Sequence, residues 1–474
     1  MDTAVGSQAV TGSERGSVLE RHGIDWIPPE ERHGRPFSLL TFWFASNAQM
    51  LAISVGVLAV AVGLDLPLAI VAIVVGNAVG GLYMALHSAQ GPRLGLPQMM
   101  QSRAQFGMYG AALPNIIVVL MYIGYFTTSG VLGGEGFADL IHVTTAEGIM
   151  IFNFINLLIV WFGYDLFHRF NRHTAWLSTI IFCVVLGDLV TRLPAHLPAG
   201  TSDTPGTVLL VVGIIVSWQV TWAPYVSDYS RYLPEKTSSV KSFAYTWVGS
   251  VVGANLVMTV GAIGALIALH SVNTNLPGYL SGLLAAKWLF LIIFLFGMIA
   301  GSYPNLYGPY LTAFAVVSPS GKLASARTGL ASRIPTTTVI AIIGTLIAIK
   351  ASSNFETDLS NFLVFTLYLL VPWTAINLTD YYVIRRGNYN IPELFKTKGI
   401  YGQFNWFALA VYVAAVGVQF PFMSDSAIFV GPVPNSIGGA TIAWIVGFIF
   451  AALAYYGGIR LMPSSSRNPV APSA

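Results

Sequence analysis

Charge is scarce in this sequence: only 9% of its 474 residues are Asp, Glu, Lys or Arg, whereas 55% are hydrophobic. A typical soluble domain has about 25% charged residues, so this composition excludes a soluble globular protein. Apolar stretches of about 20 residues, the length that spans roughly 30 Å of hydrocarbon, recur along the whole chain. The sequence therefore predicts an all-α integral membrane protein.

Cysteine is nearly absent as well. The single cysteine, Cys183, excludes a disulfide framework and a thiol–metal site. Because it lies inside an apolar run, we expect it to pack between helices. Residues 1–36 are polar and contain no apolar signal-peptide core, so we expect no cleavable signal peptide. The chain also lacks an HExxH pair, a His/Cys cluster and a phosphate-binding Walker loop, which argues against a metalloenzyme or an ATP-driven pump.

About twelve transmembrane helices are predicted. The spans are 37–63, 66–87, 113–140, 148–166, 175–190, 208–229, 243–270, 281–317, 335–349, 359–384, 406–422 and 437–458. They divide the chain into an N-terminal arm (1–36), two five-helix units (37–192 and 206–385), two additional helices (404–460) and a tail (461–474). The eighth stretch is too long for one simple span, and its Gly-Ser-Tyr-Pro-Asn segment (301–305) is expected to bend or interrupt it.

The distribution of basic residues predicts the orientation. With a cytoplasmic N-terminus, 20 of the 23 Lys and Arg fall on the cytoplasmic side, and only Arg192, Lys287 and Lys350 fall on the other. Cytoplasmic loops carry the excess of basic residues in membrane proteins. We therefore predict a multi-pass inner (plasma) membrane protein with both termini in the cytoplasm.

Ionisable side chains are missing from the middles of the predicted helices. Such residues usually mark proton relays, voltage sensors and sites for charged substrates. Their absence indicates a neutral transported solute. Asp228 and Glu135, near opposite membrane faces, are the nearest groups that could accept a proton.

Uncharged polar residues cluster at matched places in the first and sixth spans. Ser46, Asn47 and Gln49 lie within four residues, and Ser217, Gln219 and Thr221 precede Pro224. Helices broken at corresponding positions of two half-repeats are typical of a transporter's midplane site. The alternative is that Asn47, Gln49 and Gln219 only bond neighbouring helices.

Aromatic residues accompany these polar clusters. Tyr125 and Ser129 are four residues apart and share a helix face, which suits a flat heterocycle that stacks and forms hydrogen bonds. Trp218 is expected to supply the opposite plate. Asn305, beside Pro304, is expected to face a cavity. The alternatives are interfacial aromatic residues and a kink satisfied by neighbouring helices.

Four ordered motifs carry a resemblance that covers nearly the whole chain. They are the lead-in 21–32 (RHGIDWIPPEER), the loop 91–103 (GPRLGLPQMMQSR), Ser217-Trp218 followed by 226–232 (VSDYSRY), and 304–307 (PNLY). On these motifs the chain resembles the purine–cytosine permease family of nucleobase–cation symporters. The resemblance implies a leucine-transporter-type fold, in which two five-helix inverted repeats are followed by two C-terminal helices.

The resemblance also implies roles for residues. Gln49 would hydrogen-bond the substrate, Trp218 would stack on it beside the Ser217 backbone, and Asn305 would read its polar edge. Tyr125 stands where the family usually has Trp, and Ser129 stands where relatives carry Gln or Asn. A sodium site would use the carbonyls of Ala45, Ala48 and Ala300. Tyr303 and Pro304 occupy the places of its two hydroxyl residues, with Ser302 one residue away, which predicts weak sodium dependence or none and proton coupling instead.

The sequence thus predicts a secondary transporter that imports cytosine or a purine with sodium or a proton by alternating access. The alternatives are a symporter of another flat heterocycle (a hydantoin, allantoin or a vitamin precursor) and, from another class, a membrane-embedded enzyme or receptor. The second class is disfavoured, because no mid-membrane nucleophile–base pair is visible. We expect a bilayer-embedded monomer, with an oligomer left open, and no other cofactor, no enzymatic activity and no nucleic-acid partner.

Overall fold

The computed structural model describes residues 25–162, 164–317 and 330–461. The first 24 residues of the predicted N-terminal arm, the loop 318–329 and the predicted tail from residue 462 lie outside the described residues. The helices are α1 (Phe37–Asn47), α2 (Met50–Ala61), α3 (Leu66–Ser88), α4 (Gly91–Leu94), α5 (Gln98–Phe106), α6 (Ala112–Ile141), α7 (Thr145–Phe162), α8 (Tyr164–Thr191), α9 (Pro205–Val220), α10 (Val226–Ser230), α11 (Ser239–Thr274), α12 (Leu276–Gly282), α13 (Lys287–Val317), α14 (Leu330–Ala351), α15 (Phe355–Leu378), α16 (Trp406–Gln419), α17 (Pro432–Ser436) and α18 (Ala443–Leu461).

Shorter elements connect these helices. A two-stranded antiparallel hairpin pairs β1 (Ser424–Asp425) with β2 (Phe429–Val430). Single 3-10 or π turns occupy Pro29–Glu31, Ala223–Tyr225, Ser352–Asn354, Thr379–Ile384, Ile391–Phe395 and Phe420–Phe422. Helices thus form the whole membrane-spanning part of the described chain.

The predicted spans correspond to helices of the structure. Among the described residues, eight helices are long and apolar enough to cross a membrane, and the bent pair α1–α2 makes a ninth. Two shorter apolar helices, Leu177–Thr191 and Trp406–Phe422, add to these. The segment Arg333–Ile384 has 52 residues, which at about 1.5 Å per residue is far longer than a roughly 30 Å bilayer core, and it divides at Ser352–Asn354 into α14 and α15. Together these make twelve segments, one for each predicted span.

Glycine lets α11 approach the first span closely on both sides of its break. A side chain at Gly253 would collide with the carbonyl oxygen of Phe44 in α1, and one at Gly261 would collide with that of Ile53 in α2. Small residues at membrane helix interfaces permit such contact between backbones. The two halves of the broken span are therefore held against a single helix.

The expected interruption of the eighth stretch is wrong. α13 runs from Lys287 to Val317 without a break, although Pro304 and Pro309 lie inside it, and the residues before it form the separate helix α12. A proline in a membrane helix removes one hydrogen bond, and neighbouring groups can satisfy the freed carbonyl. The stretch is therefore long because α13 itself has 31 residues, which at about 1.5 Å per residue exceeds a bilayer core of roughly 30 Å.

The expected packing of Cys183 between helices is also wrong, since its side chain is exposed. It lies on the same outward side of α8 as Ile180 and Val184, whereas Phe182 and Val185 are buried. Lipid tails are as apolar as a protein interior, so a small apolar thiol is equally stable facing the bilayer.

A buried ion pair anchors the end of α15. Asp380 accepts hydrogen bonds from Arg385 Nε (3.0 and 3.1 Å), from Gln105 Nε2 (3.0 Å), and from the hydroxyls of Tyr389 (2.6 Å) and Tyr455 (3.0 Å). These partners come from α5, from the segment after α15 and from α18. One carboxylate thus joins three parts of the chain.

Candidate functional site

The first span is broken at Ala48 and Gln49. α1 and α2 meet there at an angle of 61°, and Gln49 has an extended backbone (φ −135°, ψ 162°). The Gln49 amide donates to Asn47 O and the Ala52 amide donates to Gln49 O. In a continuous helix these two amides would bond Ala45 O and Ala48 O. The break therefore frees the carbonyls of Ala45 and Ala48.

The sixth span is also interrupted, although it has no bend as sharp as that of the first. α9 ends at Val220, a 3-10 turn covers Ala223–Tyr225, and α10 continues from Val226. Pro224 has no N–H to donate to the carbonyl four residues earlier, that of Val220. The interruptions that the polar clusters predict in the first and sixth spans are both present.

A buried chain of hydrogen bonds links the two breaks. Each side chain in this hydrogen-bonded series donates to the next one, so all five bonds have the same donor-to-acceptor direction. It runs from Trp218 Nε1 to Asn47 Oδ1 (2.8 Å), Asn47 Nδ2 to Ser250 Oγ (2.9 Å), Ser250 Oγ to Gln219 Oε1 (2.5 Å), Gln219 Nε2 to Asn77 Oδ1 (2.8 Å) and Asn77 Nδ2 to Asn255 Oδ1 (2.8 Å). Asn47 and Gln219 thus bond neighbouring helices, as the alternative interpretation holds. Gln49 is not a member of this chain.

The rings of Tyr125 and Trp218 lie edge to face. Their centroids are 6.0 Å apart at an interplanar angle of 79°, so the expected pair of parallel plates is wrong. The Tyr125 hydroxyl is 2.6 Å from Thr221 Oγ1, which fixes the ring at this angle. Phe362 also meets Tyr125 edge to face, at 5.2 Å. The planes of Tyr125 and Trp218 are therefore nearly perpendicular and do not form the two sides of a stack.

Two side-chain amides meet at Gly301 of α13. Gln49 Nε2 donates to Ser46 O (3.0 Å), and Gln49 Oε1 would lie 2.8 Å from a Cβ atom at Gly301. Asn305 Nδ2 donates to Gly301 O (3.1 Å). Both amides are half-buried, and in this arrangement each presents an oxygen that is not used by these bonds. The structure thus brings Gln49 and Asn305 together.

Oxygen atoms suited to a cation lie beside this contact. Pro304 cannot donate to Ala300 O, so that carbonyl is freed next to Gly301. The Ser302 side chain is fully buried (0% exposed), and its Oγ has no hydrogen-bond partner within the described part of the chain. A buried hydroxyl without a partner is costly, and hard cations prefer carbonyl and hydroxyl oxygen. Ser302 Oγ and the freed carbonyls of Ala45, Ala48 and Ala300 are therefore oxygens of the kind that hard cations bind.

The two remaining predicted residues are buried. Ser217 Oγ donates to the carbonyl oxygen of Leu363, so its side chain joins α9 to α15. Ser129 lies one turn beyond Tyr125 in α6. Sequence reasoning missed Thr221 as the partner of Tyr125, although its hydroxyl three residues before Pro224 was a usable signal. It also missed Phe362, whose apolar surroundings in the sequence give no such signal.

Two interrupted helices, joined through uncharged polar side chains and accompanied by aromatic ones, define a secondary transporter. The model of the family described as permeases for cytosine/purines, uracil, thiamine and allantoin matches residues 26–447, so the chain belongs to this family.

Similar proteins match this chain over nearly its whole length. YxlA of Bacillus subtilis, named as a candidate purine-cytosine permease, is 36% identical over 444 residues, which cover 92% of this chain and 95% of YxlA. The purine-cytosine permease fcyB of Emericella nidulans is 27% identical, with 92% and 87% covered. Mhp1 in its inward-facing conformation has a TM-score of 0.76 at 18% identity, with 96% and 97% covered. This likeness confirms the predicted leucine-transporter-type fold.

Proposed function

We propose that this protein imports a neutral nucleobase, cytosine or a purine, by cation symport with alternating access. The observation that carries the proposal is the pair of half-buried amides, Gln49 and Asn305, that meet at Gly301 between the broken first span and α13. Trp218 and Tyr125 add ring faces, and no charged side chain belongs to this cluster. Such a site matches a flat neutral ring with polar edges.

The proposed substrate contacts follow from which polar atoms already form hydrogen bonds within the protein. The indole N–H of Trp218 and the hydroxyl of Tyr125 are bonded within the protein, so both residues would contact the substrate through their rings. The oxygens of Gln49 and Asn305 would accept from ring or exocyclic N–H groups. Ser129 would lie near the ring's edge, and Ser217 would contribute through its backbone.

The coupling cation is proposed to bind the carbonyls of Ala45, Ala48 and Ala300 together with Ser302 Oγ. A ligand shifts a conformational equilibrium only by binding one state better than another. A cation held by both the broken first span and α13 meets this requirement, because the two elements belong to different halves of the fold. The site offers four such oxygens, whereas calcium, another hard cation, takes about six to eight. We therefore propose a weak sodium site and keep the proton as the main driving ion.

Binding of radiolabelled cytosine to purified protein, competed by adenine, uracil, allantoin and a hydantoin, tests the substrate. We expect cytosine or a purine to compete best, and Trp218→Ala to lose most of the binding, since stacking on one aromatic residue contributes about 1–3 kcal/mol per base. Preferred binding of allantoin or the hydantoin would favour the second candidate, a symporter of another flat heterocycle. The family description includes allantoin.

Orientation belongs to the same proposal. We place both termini in the cytoplasm, because 20 of the 23 basic residues then lie on that side. The protein is proposed to act as a monomer in the plasma membrane. Proteolysis of a tag at either terminus in right-side-out and inverted vesicles tests the orientation.

A further inference from the structure

A line of aromatic residues leads away from the proposed substrate site. Trp218, Trp222, Tyr225 and Tyr229 are separated by four, three and four residues, the spacing of one helix face. The interruption between α9 and α10 falls within this line, yet the rings of its first three members remain in contact. The Trp218 and Trp222 centroids are 6.0 Å apart, and the Trp222 and Tyr225 centroids are 5.5 Å apart.

Exposure rises along this line. Trp218 is only 1% exposed, Trp222 and Tyr225 are half-buried, and Tyr229 is 41% exposed. The line therefore connects the buried site with the membrane face at which α10 ends. On the proposed orientation, this is the cytoplasmic face.

Other helices supply aromatic residues around the middle of this line. Tyr122 of α6 lies 5.5 Å from Tyr225 at an interplanar angle of 31°. Trp43 of α1 lies 5.6 Å from Trp222. Gly308 of α13 lies behind Tyr122, since a Cβ atom there would be 2.7 Å from the Tyr122 ring. Trp222 and Tyr225 thus lie among aromatic residues from two helices besides their own.

A polar atom in this surrounding has no partner. Trp222 Nε1 is buried and makes no hydrogen bond to any described residue. A buried indole N–H usually finds an acceptor, and a nucleobase offers such acceptors in its carbonyl oxygens and ring nitrogens. The unused donor therefore points to a ligand with a flat ring and polar edges.

We propose that Trp222 and Tyr225 form a second, weaker binding position for the transported heterocycle, between the central site and the membrane face at which α10 ends. This inference rests on the proposed function. A ring that leaves Trp218 would exchange one aromatic contact for another, instead of passing directly into water. The second position would thus speed release on that side without strengthening binding at the centre.

Four variants and one control test the proposal: Trp222→Ala, Trp222→Phe, Tyr225→Ala and Tyr225→Phe, with Trp406→Ala as the control. Trp406 is an aromatic residue at the start of α16 that is 71% exposed. For each, the Kd of labelled cytosine for purified protein and its initial uptake rate into proteoliposomes are measured. We expect the alanine variants to keep the wild-type Kd within about threefold. Uptake should fall by about tenfold, because each alanine removes one aromatic stacking contact on the release path, and one such contact corresponds to about a tenfold effect. The phenylalanine variants and Trp406→Ala should retain most uptake.

A saturation isotherm gives a second measurement. The Trp218→Ala variant lacks the tight central site, and we expect it to retain a weak cytosine-binding component. Adding Trp222→Ala to this variant should remove that component. Uptake at the wild-type rate in both alanine variants, or a Kd that weakens in parallel with uptake, would overturn the second position while leaving the proposed function intact. A wild-type protein that binds no cytosine would overturn both.

Discussion

The indole N–H of Trp218 donates to Asn47 Oδ1 at 2.8 Å, so the ring proposed to stack on the substrate is fixed by the last residue before the first break. Asn47 is therefore a positioning residue: it acts on the substrate through Trp218. Asn47 Nδ2 also donates a hydrogen bond to Ser250 Oγ (2.9 Å), which holds Asn47 against α11.

Asn47→Ala should weaken nucleobase binding by about tenfold, because the indole N–H then lies buried without its acceptor and such a loss costs about 1–3 kcal/mol. In a Trp218→Phe background, which has no N–H, the same substitution should have little further effect. The measurement is Kd for all four members of this double-mutant cycle. Ser54→Ala is the matched control, since Ser54 is buried in α2 and its Oγ has no hydrogen-bond partner among the described residues. Equal losses in both backgrounds would show that Asn47 acts on the fold at large.

Gln49→Ala and Asn305→Ala should each weaken uptake by roughly tenfold to a hundredfold, because a substrate donor left unpaired in a dry site costs about 1–3 kcal/mol. Asn115→Ala is the control. Asn115 also donates to the carbonyl four residues earlier (Ala111 O, 2.8 Å), but it lies in the first turn of α6. The comparison requires equal amounts of folded protein in the membrane. Unchanged affinity in both site variants would exclude hydrogen bonding by these amides.

Replacing sodium with choline at fixed pH should lower nucleobase affinity only modestly, by less than about tenfold, because the proposed site has few oxygen ligands. Ser302→Ala should remove even this dependence, and Ser302→Thr should retain it because the hydroxyl remains. The measurement is Kd with and without sodium for the three proteins. A large effect of sodium that persists in Ser302→Ala would place the cation elsewhere.

Asp380→Ala should destabilise the protein by about 3–5 kcal/mol, because it leaves Arg385 buried without its carboxylate. The control is the ion pair between Arg192 and Asp188, whose side chains are 48% and 31% exposed. Asp188→Ala should cost no more than about 1 kcal/mol, as exposed ion pairs do. Thermal unfolding in detergent compares the two, and equal shifts would show that the Asp380 cluster adds no special stability.

The breaks in the first and sixth spans could be predicted from the sequence because their causes are local. Several polar side chains in an apolar stretch, and a proline in the sixth span, disfavour a continuous helix where they occur. The family motifs imply a common site for Gln49, Trp218 and Asn305, and the structure brings two of them, Gln49 and Asn305, together at Gly301.

Other features depend on how helices are rotated against one another, which spacing alone does not give. Tyr125 shares a face with Ser129, but only the structure shows that its hydroxyl reaches Thr221 on another helix. Pro304 signals a lost hydrogen bond, yet tertiary packing keeps α13 helical through it. The prediction that Cys183 packs between helices is wrong for a related reason: an apolar sequence does not distinguish a lipid-facing position from a buried one, because lipid and protein interior favour the same side chains.

The position of Cys183 makes the chain convenient for distance measurements by spin labelling. It is the only cysteine in the sequence and it is exposed, so Cys183→Ser removes the one thiol at an exposed position. Pairs of cysteines introduced into that background, for example across the two sides of a broken span, would carry the only labels in the molecule. The opening and closing of the proposed transport cycle could then be followed as changes in the distance between the two labels.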